Sequence, residues 1–380
     1  MRILHIVALV TPDGAYGGPV RVAMNQTAAL HQRGHTVKVA AAASGFPHRP
    51  TQLGSVPAEL FASMGSVPGL GFASTWAPRM RSWINANASQ FDIAHVHLGR
   101  DLVTLPAALQ LRRLRIPYVC QTHGMIRARS HRLAPVIDRV WTNKLLRDAA
   151  EILCLDEREH ADLIEIVGPD CNYELLPNGV PPASDYAAAR NGRSDDIPEV
   201  LFLSRLHKRK HPEVFAEAAL DMLRSGMKAR FAIVGINQGA ETAVDRVIDV
   251  AREEGFGENL LVREPGLPPE DVNERLSRAS VYVLPAEREP FGLTVAEALS
   301  VGTPVVIRDD GGLANFVRRH NCGLCVSGTA ESIHEAVSYL LANPTEAEEM
   351  GQRGAAAVKA ELSSDSVAAR LESIYQGLDV

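Results

Sequence analysis

The stretch "PPASDYAAARNGRSDDIP", Pro181–Pro198, divides the chain into two halves that repeat one pattern. It is polar and rich in Pro, Ala, Ser and Asp, the composition of a connecting segment rather than of a packed element. Directly after it, "EVLFLSRL" opens a series of short apolar runs: "RFAIVG", "NLLVREPG", "SVYVLPA", "PVVIRDD" and "GLCVS". Before it stand "RILHIVALV" (Arg2–Val10), "HTVKVAAA", "DIAHVHL", "YVCQTHG", "EILCLD" and "NYELLPNGV". Stretches with helical spacing separate most of these runs, "VRVAMNQTAALHQRG" being the first. Strands that alternate with helices form parallel sheets through right-handed crossovers. The expected fold is therefore α/β, two doubly wound, Rossmann-like domains facing a central cleft. Ligands of such sheets bind beyond the carboxyl ends of the strands. The expected bounds are 1–182 for the first domain, 183–198 for the linker and 199–362 for the second. A last helix within 363–380 is expected to pack back on the first domain. Ser44–Ser74 reads as one long Gly-, Pro- and Ser-rich loop, either a functional lid or an insertion with no catalytic part.

Composition narrows the function. At 380 residues the chain exceeds one ordinary core, and its formal charge of -6 argues against a nucleic-acid partner, which needs net basic surface. No uncharged apolar run is long enough to span a bilayer, and the first apolar run contains His5 and leads into glycines, so it reads as a strand rather than a signal sequence. The five cysteines are scattered, as in a reduced, cytoplasmic protein. Cys322 and Cys325 form one C-x-x-C without a second pair, and a plain strand explains them better than zinc or redox chemistry.

Several residue groups fall where ligands bind. Glu289 and Glu297 bracket "PFGLTVA", seven residues at the front of an expected helix. Thr294 with Glu297 matches a capping box, so Glu297 either closes the first turn or accepts bonds from a ribose diol. Glu289 precedes the helix, whose free amides and partial positive charge suit phosphate. "FLSRLHKRKH" sets Arg205 and Lys210 just past a strand, either as a solvated basic turn or as counterions for a diphosphate. Gly14, Gly17 and Gly18 follow the first strand without forming G-x-G-x-x-G. His123 in "QTHG" ends another strand, as a structural or a catalytic histidine. No D-x-D is present, so no metal is expected.

In order and spacing, the Glu-seven-Glu pattern, "SRLHKRKH", Gly17–Gly18, "RGHTVKV", "THG" and "LPNGV" resemble the retaining glycosyltransferases of family four (group 1), which have the GT-B architecture. The likeness runs almost the full length. It implies that Gly17 and Gly18 meet the donor diphosphate through their amides, and that Arg205 and Lys210 hold its pyrophosphate. It implies that Glu289 binds donor-sugar hydroxyls beside Phe291 and Gly292, that Leu293, Thr294 and Val295 present amides to phosphate, and that Glu297 holds the ribose. His123 is implied beside the transferred sugar, and the base near Gly235 and the backbone of Arg263, Glu264 and Pro265. Ala286, Pro290, Pro181 and Asn315 depart from the family's usual residues and leave the donor open.

The resemblance implies transfer of a hexose from a UDP- or GDP-linked donor, with no cofactor and no metal, to a hydroxyl acceptor, a glycolipid or polysaccharide precursor. A sugar-nucleotide epimerase of the same architecture and a non-catalytic nucleotide-sugar-binding subunit are the alternatives. Basic residues crowd Arg112–Arg147: Arg112, Arg113, Arg115, Arg127, Arg129, Arg132, Arg139, Lys144 and Arg147 against Asp138 alone, with Trp141 among them. This pattern suits an anionic membrane surface, and places the protein as a peripheral one on the inner face, or else it is a solvated helix face.

Overall fold

A computed structural model describes residues 1–12, 17–65, 74–127, 134–183 and 197–378. Most of the expected linker lies outside the described residues, as do Gly14, Arg129 and Arg132. The chain forms two units, Met1–Pro181 with Ser364–Val380, and Pro182–Ser363.

The first unit is built on β1 (Arg2–Val10), β2 (Thr36–Ala43), β3 (Gln52–Leu53), β4 (Val56–Ala62), β5 (Ile93–His97), β6 (Tyr118–Gln121), β7 (Glu151–Cys154) and β8 (Tyr173–Leu175). Their order is β3-β4-β2-β1-β5-β6-β7-β8, with parallel pairing throughout except for the short β3. The chain steps outward from β1 and then restarts beside it at β5, so the order reverses between those two strands. Both faces of the sheet are covered, which is why its strands are apolar runs rather than alternating ones. Leu4, Ile6, Ala94, Val96, Ile84 and Leu111 pack on one face. Ile3, Leu30, Ile93, Val119, Leu371 and Tyr375 pack on the other.

Leu371 and Tyr375 come from the helix Ser364–Gly377, which follows the second unit in sequence but buries its apolar side in the first. Arg33 holds Glu372 at 2.8 Å on the rim of this contact, an exposed pair worth little by itself. Leu371 is fully buried. Leu371→Ala is therefore expected to cost 2–5 kcal/mol, about the range for emptying such a site, seen as a lower denaturant midpoint.

The expected loop over Ser44–Ser74 is corrected in its middle. Val56–Ala62 is a strand whose Leu60 pairs with Ala41, and β3 joins it through Gly54, at φ 58. Val56, Ala58 and Leu60 are buried on alternate positions. Residues 66–73 lie outside the described residues.

The second unit contains β9 (Glu199–Leu203), β10 (Arg230–Val234), β11 (Leu261–Glu264), β12 (Val281–Leu284), β13 (Val305–Arg308) and β14 (Gly323–Val326). The order is β11-β10-β9-β12-β13-β14, all parallel. Counted from β9 this is 3-2-1-4-5-6, the order of dinucleotide-binding sheets, in which ligands sit where the sequence of strands reverses. Here the reversal falls between β9 and β12. Cys325 lies within β14, and all five cysteines are free.

Candidate active site

Two segments leave the sheet of the second unit at that reversal. From β9 the chain passes Arg205 into a single tight turn, Lys208–Lys210. His211 then takes the left-handed conformation, φ 52, and Pro212 starts the helix Pro212–Arg224. A left-handed non-glycine residue is strained, and it is tolerated here because it turns the chain between two helical segments. The turn concentrates positive charge. The ring of His207 is held below its usual pKa, first by partial burial and then by Arg205, Arg209, Lys208 and Lys210. Arg205 itself is exposed and forms no ion pair among the described residues.

From β12 the chain enters the loop that carries Glu289. Its backbone is fixed at both ends. The Glu287 N–H donates to the Arg209 carbonyl at 2.9 Å, and the Glu289 carbonyl accepts from the Gly312 N–H at 2.8 Å. Gly312 has no room for a side chain, since a Cβ would lie 2.1 Å from the Pro290 oxygen. The structure thus brings together Lys210 and Glu289, 79 residues apart, in a direct ion pair. Their side chains are 16% and 20% exposed, so each is partly desolvated while still reachable by a ligand. One cation and one carboxylate in contact at the switch point can take the two ends of a phosphorylated polyol. The ammonium suits phosphate, and the carboxylate accepts from hydroxyls.

The helix behind this loop is Leu293–Ser300, and its start corrects the expected capping box. Gly292, at φ 90, is the N-cap, which puts Thr294 inside the first turn rather than at the cap. Glycine takes this position because the left-handed conformation costs it nothing. Glu297 is therefore not closing a box, and it is buried, 1% exposed. Val295 is a second correction: its N–H donates to the Gly292 carbonyl at 2.9 Å. The amides of Leu293 and Thr294 precede the first intrahelical bond and remain the ones directed along the axis. Phe291 is buried beneath the loop.

Tyr282, on β12, was not singled out by sequence because it reads as a strand residue. Its hydroxyl donates to the Leu203 carbonyl at 3.0 Å and so ties β12 to β9 under the site. Burial, and then the carboxylates of Glu289 and Glu297, hold it well above its usual pKa, while the Thr294 side chain opposes them.

The base-side residues have mainly structural employment. A Cβ on Gly235 would lie 1.8 Å from the Ser204 oxygen, so this glycine lets the exits of β10 and β9 touch. The Arg263 side chain is held by Asp245 at 2.7 Å and Glu241 at 2.8 Å, and that of Glu264 by Arg230 at 2.6 Å.

The remaining expected residues belong to the first unit and are described there. Gly17 and Gly18 open the helix Gly17–Gln32, after β1. His123 follows β6 at φ 53 and is buried. Burial pushes its pKa down to about 3, with the Asn178 side chain pulling upward, so the ring is neutral. Its Nε2 lies 2.7 Å from Nδ1 of His97.

The basic segment is less free than its composition implies. Asp138 pairs with the partly buried Arg100 at 2.7 Å, Arg112 pairs with Asp148, and Arg127 and Arg147 donate to the carbonyls of Gly124 and Val167. Arg113, Arg115, Arg139 and Lys144 are exposed. So are Val136, Val140 and Trp141, at 60%, 51% and 42%.

The model of the group called Glycosyltransferase Family 4 matches residues 16–184, and that of Glycosyl transferases group 1 matches 186–357. A D-inositol 3-phosphate glycosyltransferase of Nocardia farcinica is 28% identical over 93% of this chain and 83% of its own length. One of Xylanimonas cellulosilytica is 29% identical over 86% and 84%. Among solved structures, a sucrose-phosphate synthase of Thermosynechococcus elongatus superposes with a TM-score of 0.77 at 20% identity, covering 100% of this chain and 99% of that one. Anabaena HepE in complex with UDP and glucose gives 0.78 at 17% identity, with both chains fully covered. These likenesses are of fold.

Proposed function

The chain belongs to the group 1 and family 4 glycosyltransferases, and on that premise we propose that it is a retaining, metal-independent hexosyltransferase using a UDP- or GDP-linked donor. The observation that carries this reading is the contact of Lys210 with Glu289 at the strand-order reversal of the second unit. Lys210, Arg205 and the amides of Leu293 and Thr294 neutralise the departing diphosphate. Glu289 accepts from sugar hydroxyls, Glu297 from the ribose, and the base meets the backbone at Arg263–Pro265. In the first unit, Gly17 and Gly18 serve the diphosphate and His123 the transferred sugar. The bond from the anomeric carbon to the diphosphate breaks and the bond to the acceptor oxygen forms on the same face. The acceptor's proton passes to the leaving phosphate oxygen. Fixed positive charge aimed at a developing negative charge is the principal catalytic effect in such a site.

Incubation with UDP-, GDP- and ADP-linked hexoses, read as freed nucleoside diphosphate, tests the proposal. An epimerase would alter the sugar and free nothing, and a binding subunit would do neither. Glu297 has its own test. Glu297→Gln keeps the volume and removes the charge, and kcat/KM for the donor is expected to fall about tenfold with an unchanged melting temperature. Normal donor kinetics would remove Glu297 from the ribose.

For the acceptor, a lipid-linked molecule at an anionic membrane is favoured by the exposed Val136, Val140 and Trp141 beside Arg139 and Lys144. Among the described residues no helix is long and apolar enough to cross a membrane, so attachment would be at the surface. Each basic residue near such a surface contributes about 1 kcal/mol. The full chain is expected to sediment with anionic vesicles at low salt and to be released as salt rises. Equal, negligible pelleting with neutral and anionic vesicles would point to a water-soluble acceptor, such as the phosphorylated polyol in the names of the relatives.

A further inference from the structure

The chain leaves β6 through Thr122 and turns at once, the Met125 N–H donating to the Thr122 carbonyl at 2.9 Å. Both central residues of this turn are left-handed, His123 at φ 53 and Gly124 at φ 68. Glycine takes that conformation readily, but a histidine resists it, and turns of this kind favour Gly, Asn or Asp at both places. A strained residue persists only where its surroundings hold it.

Glu159 supplies the hold. It is the third residue of the helix Glu157–Val167, whose N-cap is Asp156. The Asp156 side chain accepts from the Glu159 N–H at 2.8 Å, which fixes the backbone from which the Glu159 side chain departs. That side chain is buried, and its carboxylate faces the His123 turn. Oε1 accepts from the Thr122 hydroxyl and from the Gly124 N–H, the residues on either side of His123. Oε2 accepts at 2.7 Å from the N–H of Leu155, the first residue past β7. One carboxylate therefore grips His123 from both flanks and ties together the exits of β6 and β7, which are neighbours in the sheet.

A helix start alone does not require this arrangement. In a capping box the third-position glutamate reaches back to the N–H of the N-cap itself. Here Oε2 goes to the residue before the N-cap, and Oε1 goes to the exit of another strand. Burying a carboxylate is also unfavourable unless it is well bonded. Burial pushes the pKa of Glu159 up, against the bonds from Thr122, Leu155 and Gly124. The ring of His123 is met from a second side, by His97 at 2.7 Å.

We propose that Glu159 is a positioning residue for His123: its carboxylate holds the left-handed turn Thr122–Met125 and so fixes where the His123 ring stands at the carboxyl edge of the sheet. Glu159 lies behind the turn and acts only through His123. Its effect on the reaction rests on the reading of His123 as the residue beside the transferred sugar; its hold on the turn does not.

Two measurements on the full chain test this. The first is the NMR spectrum of protein labelled with ¹⁵N-histidine, the His123 ring signals being assigned by their loss in His123→Ala. Glu159→Met keeps much of the volume and removes both oxygens. It is expected to shift or broaden the His123 signals and to leave those of His35 unmoved, since His35 precedes β2 at the opposite end of the sheet. Unchanged His123 signals in a folded Glu159→Met overturn the proposal. The second measurement is kinetic. In Glu159→Met kcat should fall about tenfold, with the donor KM within twofold of wild type. Combined with His123→Ala it should be no slower than His123→Ala alone, because residues that act through one another are not additive. Losses that multiply would mean that Glu159 acts apart from His123, and they overturn the proposal. Where Glu159→Met does not fold, Thr122→Val removes one flank's bond at nearly constant volume and runs both comparisons, with an expected loss in kcat of about threefold. The underlying reading fails separately: His123→Ala with a wild-type kcat would detach His123 from the sugar, while the ring signals still decide whether Glu159 holds it.

Discussion

Replacing Lys210 with Met is expected to lower kcat at least a hundredfold, about 2.7 kcal/mol of lost transition-state stabilisation. The argument rests on what the side chain touches. Its ammonium contacts the Glu289 carboxylate at the end of the turn Lys208–Lys210, which Arg205 precedes. When a diphosphate leaves, it carries more negative charge than it did in the donor. A cation already in place is therefore worth more in the transition state than in the bound donor. The effect should fall on kcat more than on KM for that reason. Arg in place of Lys is not a conservative repair, because its planar fork cannot occupy the same contact with Glu289. Stability should fall little, since both side chains keep some solvent. The same measurement in EDTA should give the same rates if, as proposed, Lys210 and Arg205 supply the charge that a metal would. A Lys210→Met enzyme within threefold of wild type would remove this residue from the leaving group.

Gly312→Ala is expected to cut kcat/KM for the donor by tenfold or more, although residue 312 is not itself assigned any contact with substrate. An added Cβ would lie 2.1 Å from the Pro290 oxygen and 3.2 Å from the Phe291 Cα. Backbone atoms cannot step aside as a side-chain tip can, so the loop carrying Glu289 must shift. The bond from the Gly312 N–H to the Glu289 carbonyl, 2.8 Å, would stretch with it. Displacements of about 1 Å in positioning groups are known to cost as much as a hundredfold in rate. Gly311→Ala is the companion variant. Its nearest obstacle is the Arg308 oxygen at 3.3 Å, so its effect should be the milder. Steady-state kinetics beside thermal melts separates a shifted site from a lost fold. Normal kinetics in a folded Gly312→Ala would mean that the Glu289 loop is not held as described.

The strands were legible because burial on both faces of a parallel sheet leaves continuous apolar runs. Arg2–Val10 and Val305–Arg308 need no further information. Val56–Ala62 was hidden for a physical reason. It lies near the edge of the sheet, carries Pro57 as its second residue against the short β3, and sits among glycines and serines that read as loop. Its buried alternation at Val56, Ala58 and Leu60 was the available signal. The start of Leu293–Ser300 shows the opposite error. Thr294 and Glu297 satisfy the capping-box pattern, but Gly292 reaches a left-handed cap that no pattern of hydroxyl and carboxylate encodes.

Within the site, the Glu-seven-Glu pattern was visible because its members are close in sequence. The ion pair that joins its first glutamate to Lys210 spans 79 residues and depends on β9 and β12 being neighbours. The hydrogen-bonded contacts of His97 with His5 and with His123 were invisible for the same reason. His5, His97 and His123 each look like an isolated polar residue in an apolar strand or at its end, and only the pairing of β1 with β5 and of β5 with β6 makes them one object.

The most direct measurement of the central claim is the proton NMR spectrum of the first product formed from an α-linked nucleotide sugar in the presence of EDTA. Departure of the diphosphate onto Lys210 and Arg205, with attack on the same face, predicts a freed nucleoside diphosphate and a product glycoside that is still α-linked. A β-linked product, or transfer that begins only when magnesium or manganese is added, would contradict it.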